Sequence, residues 1–558
     1  MKRNKKNIVF KPYEQDQLQL FPENIGDLIP DGHLVRLINS AIDHMDISDL
    51  LESYKGGGTS SYHPRVLLKI LIYGYVERIY TSRKIAKALR ENIHFMWLAG
   101  GNRPDFRTIN RFRSSRLKGK IDQVFMGLME MLVEAGYVKL DEYFIDGTKI
   151  QANANKYSVV WKKNVARYKA GLERKIKELI RQIDQANSDE ETLYGDKDLS
   201  ELGEDGSLSS EDIKAYIEKW EGQLKADGKN KTLSKAVKTL REDYLPRQER
   251  YESQEQTLNG RNSYSRTDPD ATFMRRKEDY YKNSQLYPAY NVQMGTEDQF
   301  IIGYSLHQNP GDSTLLIDHL EHMEALYGRL PGKLITDAGY GSEENYVYLE
   351  KKGIKAYVKY SHYDSEKKKS YINNPFHTNN LRYDKSRDIY ICPAGRPLKY
   401  SGTSYKESST GYRSMYRRYE AGDCGGCHLR SLCYKGKGNR IISINIRGDL
   451  YRQKARDLLD SPEGQNLRVR RNVEVESVFG QLKHNGQFRR FHLRGLAGAH
   501  TELGLLAMAH NFKKWHKKEL KRRIGEALFI FFTFFTKIRV KSHKKPLFSP
   551  DLFPTTAY

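Results

Sequence analysis

Tyr143-Phe144-Ile145-Asp146-Gly147-Thr148-Lys149-Ile150 is an apolar run that ends on a carboxylate and a glycine. It reads as a strand from Glu142 to Ile150. A carboxylate at the end of a buried strand is costly unless an opposite charge meets it. A second stretch repeats the arrangement: Leu334-Ile335-Thr336 runs into Asp337, followed by Ala338-Gly339-Tyr340-Gly341. A third acid, Glu476, stands in the helical stretch Val475-Glu476-Ser477-Val478-Phe479-Gly480-Gln481-Leu482-Lys483. Either aspartate alone would read as a turn. Two of them, each after an apolar strand and separated by a hairpin and a helix, point to one shared site. Divalent ions would offset the charge, and Mg2+ (or Mn2+) prefers oxygen ligands. Two such ions, with Asp146 between them and Asp337 and Glu476 flanking, suit phosphoryl transfer on nucleic acid.

Glu474 competes with Glu476 for the third place. Lys483 lies two ideal helical turns beyond Glu476, on the same face, where it could hold a phosphate. Glu474 has Gln481 at that spacing and reads as an exposed charge. Beyond Lys483, Arg489, Arg490 and Arg494 extend a basic track.

Outward from these acids the chain alternates strands and helices. Tyr290–Met294 and Phe300–Tyr304 form a hairpin with Gly295–Asp298 as its turn. A helix carries Leu315, Leu316, His319, Leu320, Met323 and Leu326, another follows Ser342, and a strand covers Ile354–Val358. This is a mixed α/β core over 136–520, with an acid ending each of two strands. Two insertions interrupt it. Residues 156–285 read as a helical hairpin with arms Val165–Ala186 and Leu233–Leu245. Residues 362–445 hold all four cysteines: Cys392, Cys424, Cys427 and Cys433. Four thiolates in one short insertion, two in a CxxC, suit a closed structural Zn2+ site. Residues 1–135 read as an all-helical domain, with Pro64 opening one helix and Ser82 capping another. Its basic helix, with Arg107 and Arg111, follows Gly100-Gly101 in the manner of a helix-turn-helix DNA reader. Residues 521–558 read as a basic and apolar tail. Its run Ala527–Phe535 is shorter than the roughly 20 residues a membrane span needs.

The 558 residues carry a formal charge of +24, although 188–212 is strongly acidic. Such a surplus points to a polyanionic partner, with nucleic acid first. Four cysteines exclude a disulfide scaffold. No apolar segment follows the basic start Met1–Lys6, so the expectation is a cytoplasmic protein with no membrane partner.

These blocks together resemble the DDE transposases of bacterial insertion sequences, nearest the IS1182-like group among IS4/IS5-type elements. Three blocks carry the resemblance: Asp146-Gly147-Thr148-Lys149-Ile150, Thr336-Asp337-Ala338-Gly339-Tyr340, and Val475 to Lys483 continuing to Arg489-Arg490-Phe491 and Arg494-Gly495. Tyr62-His63-Pro64 and Pro104 to Arg113 are similar to the helical domain that precedes the core. The resemblance implies an RNase H-like fold and a triad of Asp146, Asp337 and Glu476. It also implies Mg2+ dependence, double-stranded DNA partners (terminal inverted repeats and target) and a homo-oligomer on paired ends. Such relatives often place an arginine four positions before the glutamate. Here Asn472 stands there, with Arg470 and Arg471 beside it. The expected activity is cleavage at element ends followed by strand transfer into target DNA. An RNase H-like nuclease without strand transfer and an inactive DNA-binding remnant are the alternatives.

Overall fold

The computed structural model describes residues 24–54, 61–194, 208–226, 230–275 and 285–541. Residues 195–207 of the acidic stretch, the side chains of Ala527–Phe535 and the tail from 542 onward lie outside the described residues. Contacts divide the chain into two units: 113–511, and 1–112 together with 512–558.

The larger unit holds the core sheet. Its strands are introduced in chain order: β1 (Glu142–Gln151), β2 (Val159–Trp161), β3 (Ser263–Ser265), β4 (Thr272–Arg275), β5 (Leu286–Glu297), β6 (Phe300–His307), β7 (Lys333–Thr336) and β8 (Lys355–Val358). The core order is β4-β5-β1-β7-β8, and β6 also pairs with β5. β5 is antiparallel to β1 and to β6, whereas β7 runs parallel to β1 and β8 parallel to β7. The result is the expected mixed sheet flanked by helices.

Alternation along β1 assigns its two faces. The Tyr143 hydroxyl meets His319 of the helix Leu316–Tyr327 at 2.7 Å. Phe144 packs under the Arg470 guanidinium of the helix Pro462–Gly480, on the other face. The strand has nearly the range expected, Glu142–Ile150, so Asp146 ends its apolar run but sits inside the strand. The ladder continues past it, with Gly147 opposite Gln293 and Lys149 opposite Asn291. The hairpin turn shifts. It is the two-residue turn Asp298-Gln299, with φ of 50° and 59°, which suits the twist of paired strands. Gly295 lies within β5 instead of the turn, because a Cβ there would fall 1.9 Å from the Tyr143 ring.

The first insertion is a small bundle with its own core, in place of a two-armed hairpin. Its helices are Lys162–Tyr194, Ser210–Ala226, Lys231–Thr239 and Leu245–Leu258, and β2 pairs with β3 at its base. The helix missing from the sequence reading, Ser210–Ala226, buries Ile213, Ile217 and Trp220 against Leu172, Ile176 and Leu240. Its apolar residues at helical spacing begin directly after the acidic stretch, whose charge masked the start of the helix. The cysteine-bearing segment folds as a separate antiparallel sheet of β9 (Arg382–Asp384), β10 (Ile389–Ile391), β11 (Pro397–Glu407), β12 (Arg413–Ala421) and β13 (Ile441–Ile444). Leu381, Leu398, Tyr419, Ala421 and Ile442 form its small core.

The helix Ile121–Glu134, counted with the N-terminal region from sequence, lies in the larger unit. Phe125 packs edge-on against Tyr304 of β6, and the Asn511 amide bonds Ile301.

The smaller unit begins with the helices Leu34–His44, Ser48–Glu52, Pro64–Val76, Ser82–Glu91, Ile93–Leu98 and Phe106–Arg111. Pro64 takes the first helical turn as expected. The cap before Ser82 is Thr81, whose hydroxyl accepts the Lys84 amide. Ile38, Leu71, Ile85, Leu89 and Phe95 are fully buried here. The helix that starts at Leu496 runs to Lys541, so the expected tail is helical over its first part. Among the described residues no helix is long and apolar enough to cross a membrane.

Candidate active site

β1 and β7 are neighbours, and this brings Asp146 beside Asp337, which follows β7 directly. The Arg471 guanidinium stands between them, 3.0 Å from Asp146 Oδ2 and 3.8 Å from Asp337 Oδ2. Asp337 also caps a short 3-10 turn, its Oδ1 accepting the Gly339 amide at 2.8 Å. Burial pushes the Asp146 carboxyl up to about 6. The charges of Asp337 and Asp312 act the same way, against the pull of Arg471 and the Gly147 amide.

Asp312 is a third acid that the sequence reading passed over. Its Oδ1 accepts the amide groups of Asn291 at 2.7 Å and Gln293 at 3.0 Å. The Tyr340 hydroxyl in turn donates to Gln293. Gly147 makes the approach possible, since a Cβ there would lie 2.5 Å from Asp312 Oδ1. The available signal was the pair Asn291 and Gln293. Two fully buried amides on one strand need polar partners.

Glu476 lies on the helix Pro462–Gly480 and is exposed, on the side that also exposes Val469 and Val473. Among the described residues no contact joins it to Asp146 or Asp337. Glu474 is buried, contrary to the sequence reading. Its Oε2 accepts the Gln299 amide at 2.6 Å, which ties the helix to the β5–β6 turn. A π-helical turn, Gln481–Asn485, follows the helix and carries Lys483. Its wider winding breaks the ideal two-turn register between Glu476 and Lys483.

The basic residues singled out from sequence have different surroundings. Arg470 pairs with Glu142 at 2.7 Å. Arg490 donates to the Ala154 carbonyl at 3.1 Å, and Arg494 to the Asn153 carbonyl at 3.1 Å, so both hold the loop after β1. Arg489 is exposed, and its carbonyl accepts the Gln151 amide at 3.2 Å. In the smaller unit Arg107 and Arg111 are exposed on Phe106–Arg111, whose start Asp105 caps through the Thr108 amide. The four cysteines line one cavity with Phe376, Arg396 and Arg440. Backbone amides of Arg396 and Arg440 donate to the sulfurs of Cys392 and Cys424, both at 3.3 Å.

The acid cluster suits a hard divalent cation. Its donors are all oxygen, Asp337 is partly open to solvent, and the single guanidinium leaves acidic charge uncompensated. Paired acids on neighbouring elements of a mixed sheet suit metal-assisted chemistry on phosphodiesters. Two family models then match the chain: a "Transposase DDE domain" over residues 391–516 and a "Transposase domain (DUF772)" over residues 23–115. No curated protein matches it. The two matches, each to part of the chain, indicate a DDE transposase, in line with the resemblance to the IS1182-like group. The DDE match takes in Glu476, the four cysteines and β11 to β13, while Asp146, Asp337 and β9 precede it.

Proposed function

We propose that the chain cuts DNA at the ends of its element and joins the freed 3′-hydroxyl to target DNA, with Asp146, Asp337 and Glu476 as the catalytic triad. The observation that carries this reading is the pair Asp146 and Asp337 on adjacent parallel strands, sharing one guanidinium. The sheet order, three antiparallel strands (β6-β5-β1) continued by two parallel ones (β7-β8), supports an RNase H-like core.

Two Mg2+ or Mn2+ ions bound to the triad would supply Lewis acidity and charge neutralisation at the scissile phosphate. The chain's own residues position the substrate. Asp146 and Asp337 are held at fixed places by the sheet, and Glu476 would complete the oxygen donor set from its helix. Arg471, released from the carboxylates, is available to a DNA phosphate, as is Arg470 beside it. Lys483, Arg489 and Arg490 hold the strand near the cut. Arg107 and Arg111 contact the terminal repeats. The enzyme works as a homo-oligomer on paired ends, at the bacterial nucleoid in the cytoplasm. Cys392, Cys424, Cys427 and Cys433 bind a structural Zn2+ that braces the second sheet.

The test is strand joining by the purified full chain in Mg2+. The substrates are duplexes of the inverted repeats bracketing its gene, pre-cleaved to a 3′-hydroxyl, and a supercoiled target plasmid. Joined product is expected; cleavage without joining would sink the transposase reading in favour of a plain nuclease. For the cysteines, elemental analysis after gentle purification should find at least one zinc per chain, with about one per chain lost when Cys424 and Cys427 are replaced by serine. A Cys424→Ser/Cys427→Ser variant that keeps the same zinc content would refute that assignment.

A further inference from the structure

Asp122, His322 and His500 come from three helices far apart in sequence: Ile121–Glu134, Leu316–Tyr327 and the start of Leu496–Lys541. One ligand atom from each lies within 4.8 Å of the others. His500 Nε2 is 2.8 Å from Asp122 Oδ1, and His322 Nε2 is 3.9 Å from Asp122 Oδ2. We propose that these three side chains bind one Zn2+-like divalent ion, at a site separate from the Asp146 acids and from the cysteines.

Three observations carry it. First, His322 Nε2 is buried and has no hydrogen-bond partner, although it points toward a carboxylate. At 3.9 Å it is too far for a hydrogen bond. Two ligands of one tetrahedral ion with bonds near 2.1 Å stand about 3.4 Å apart, between the two separations seen here. Second, the carboxylate is already oriented. The Tyr304 hydroxyl donates to Asp122 Oδ1 at 2.8 Å, the outer contact that metal-binding acids commonly have. Third, the donor set is selective. Two imidazoles and one carboxylate suit Zn2+ and its neighbours over Mg2+.

All three side chains are partly open to solvent, which gives an ion a way in. The site clips three helices together beside β6, which among the described residues pairs only with β5. Three protein ligands leave a fourth position for water.

The test uses the full chain, stripped by chelator and titrated with Co2+. A cysteine site shows intense sulfur-to-cobalt charge-transfer bands, whereas a His2Asp site shows only weak visible bands. The expected result is one equivalent of the sulfur-free signal per chain, lost in both His322→Gln and His500→Gln while the sulfur bands and the far-ultraviolet circular dichroism stay unchanged. Zn2+ should also raise the melting temperature of the wild type by more than that of either variant. Absence of the sulfur-free signal in the wild type, or its persistence in both variants, overturns the proposal.

Discussion

Replacing Asp146 by Asn is expected to stabilise the metal-free protein while abolishing strand joining. The two effects have one origin. In the folded chain Asp146 is largely buried, faces the charges of Asp337 and Asp312, and is only partly compensated by Arg471. Its carboxyl is therefore pushed from about 3.8 up to about 6. A raised carboxyl pKa means that the folded state favours the proton. Ionising the group costs folding stability as pH rises from near the unfolded value, and the cost is complete above about 6. A shift of this size corresponds to roughly 2–3 kcal/mol. Asp146→Asn removes the charge at similar shape, so its stability gain should be absent near pH 4, open between about 4 and 6, and stay constant above. Denaturant titrations of the metal-free proteins at pH 4 and pH 8 measure it. Equal stability of the two proteins at pH 8 would show that Arg471 already balances the cluster. Joining should fall by roughly 10³-fold or more, because several kcal/mol of transition-state stabilisation depend on the ions. Glu476→Gln separates the roles. Glu476 is exposed, so that variant should lose joining with no change in metal-free stability. Undiminished joining in either variant removes that residue from the triad.

The contrast between these two acids shows which parts of the site were legible in the sequence. Asp146 and Asp337 each followed an apolar run, and strand periodicity places such residues on one sheet. The hairpin and the helix after Ser342 were legible in the same local way. What escaped depends on approach between distant segments. Asp312 sits in a loop sequence, Asn309-Pro310-Gly311-Asp312, that announces only a turn, and its nearness to Asp146 rests on Gly147 having no side chain. Glu474 looked like surface because its partner, the Gln299 amide, belongs to a hairpin turn remote in sequence. Ideal helical spacing joined Glu476 to Lys483, but the π turn from Gln481 breaks that register. Asp122, His322 and His500 carry no local signature, since each comes from a different helix. Periodicity reports which face a residue occupies, and not what the opposite element brings to that face.

Glu502 illustrates the same point in the final helix, and it sets the second large expected effect. Sequence periodicity puts an apolar stripe on this helix, with Leu503 and Leu506, and gives no hint of a buried acid. In the fold Glu502 is fully buried. Its Oε2 accepts the backbone amides of His492 at 2.6 Å and Leu493 at 2.8 Å, and its Oε1 faces the buried Arg113 at 3.5 Å. Burial alone would raise its pKa, but His492, Arg113 and the Leu493 amide outweigh it and hold the carboxyl below its ordinary value. The stabilisation is thus full above about 4.5 and fades as pH falls below that. Glu502→Ala leaves a buried guanidinium and two amides without their acceptor. Breaking one side of such a pair costs about 3–5 kcal/mol. Glu502→Gln, which can still accept the amides, should cost less. The damage should start locally, because the same segment pairs with β1: the Phe491 amide donates to the Gln151 carbonyl at 2.8 Å. Hydrogen exchange of the His492 and Leu493 amides should accelerate in Glu502→Ala well before the β1–β5 ladder opens. With that segment loosened, Arg489 and Arg490 lose their fixed place beside β1, and joining should weaken even at temperatures where the sheet remains folded. Slow exchange at both amides in Glu502→Ala would mean that the segment is held by its aromatic packing through Phe488 and Phe491 instead of by the buried carboxylate.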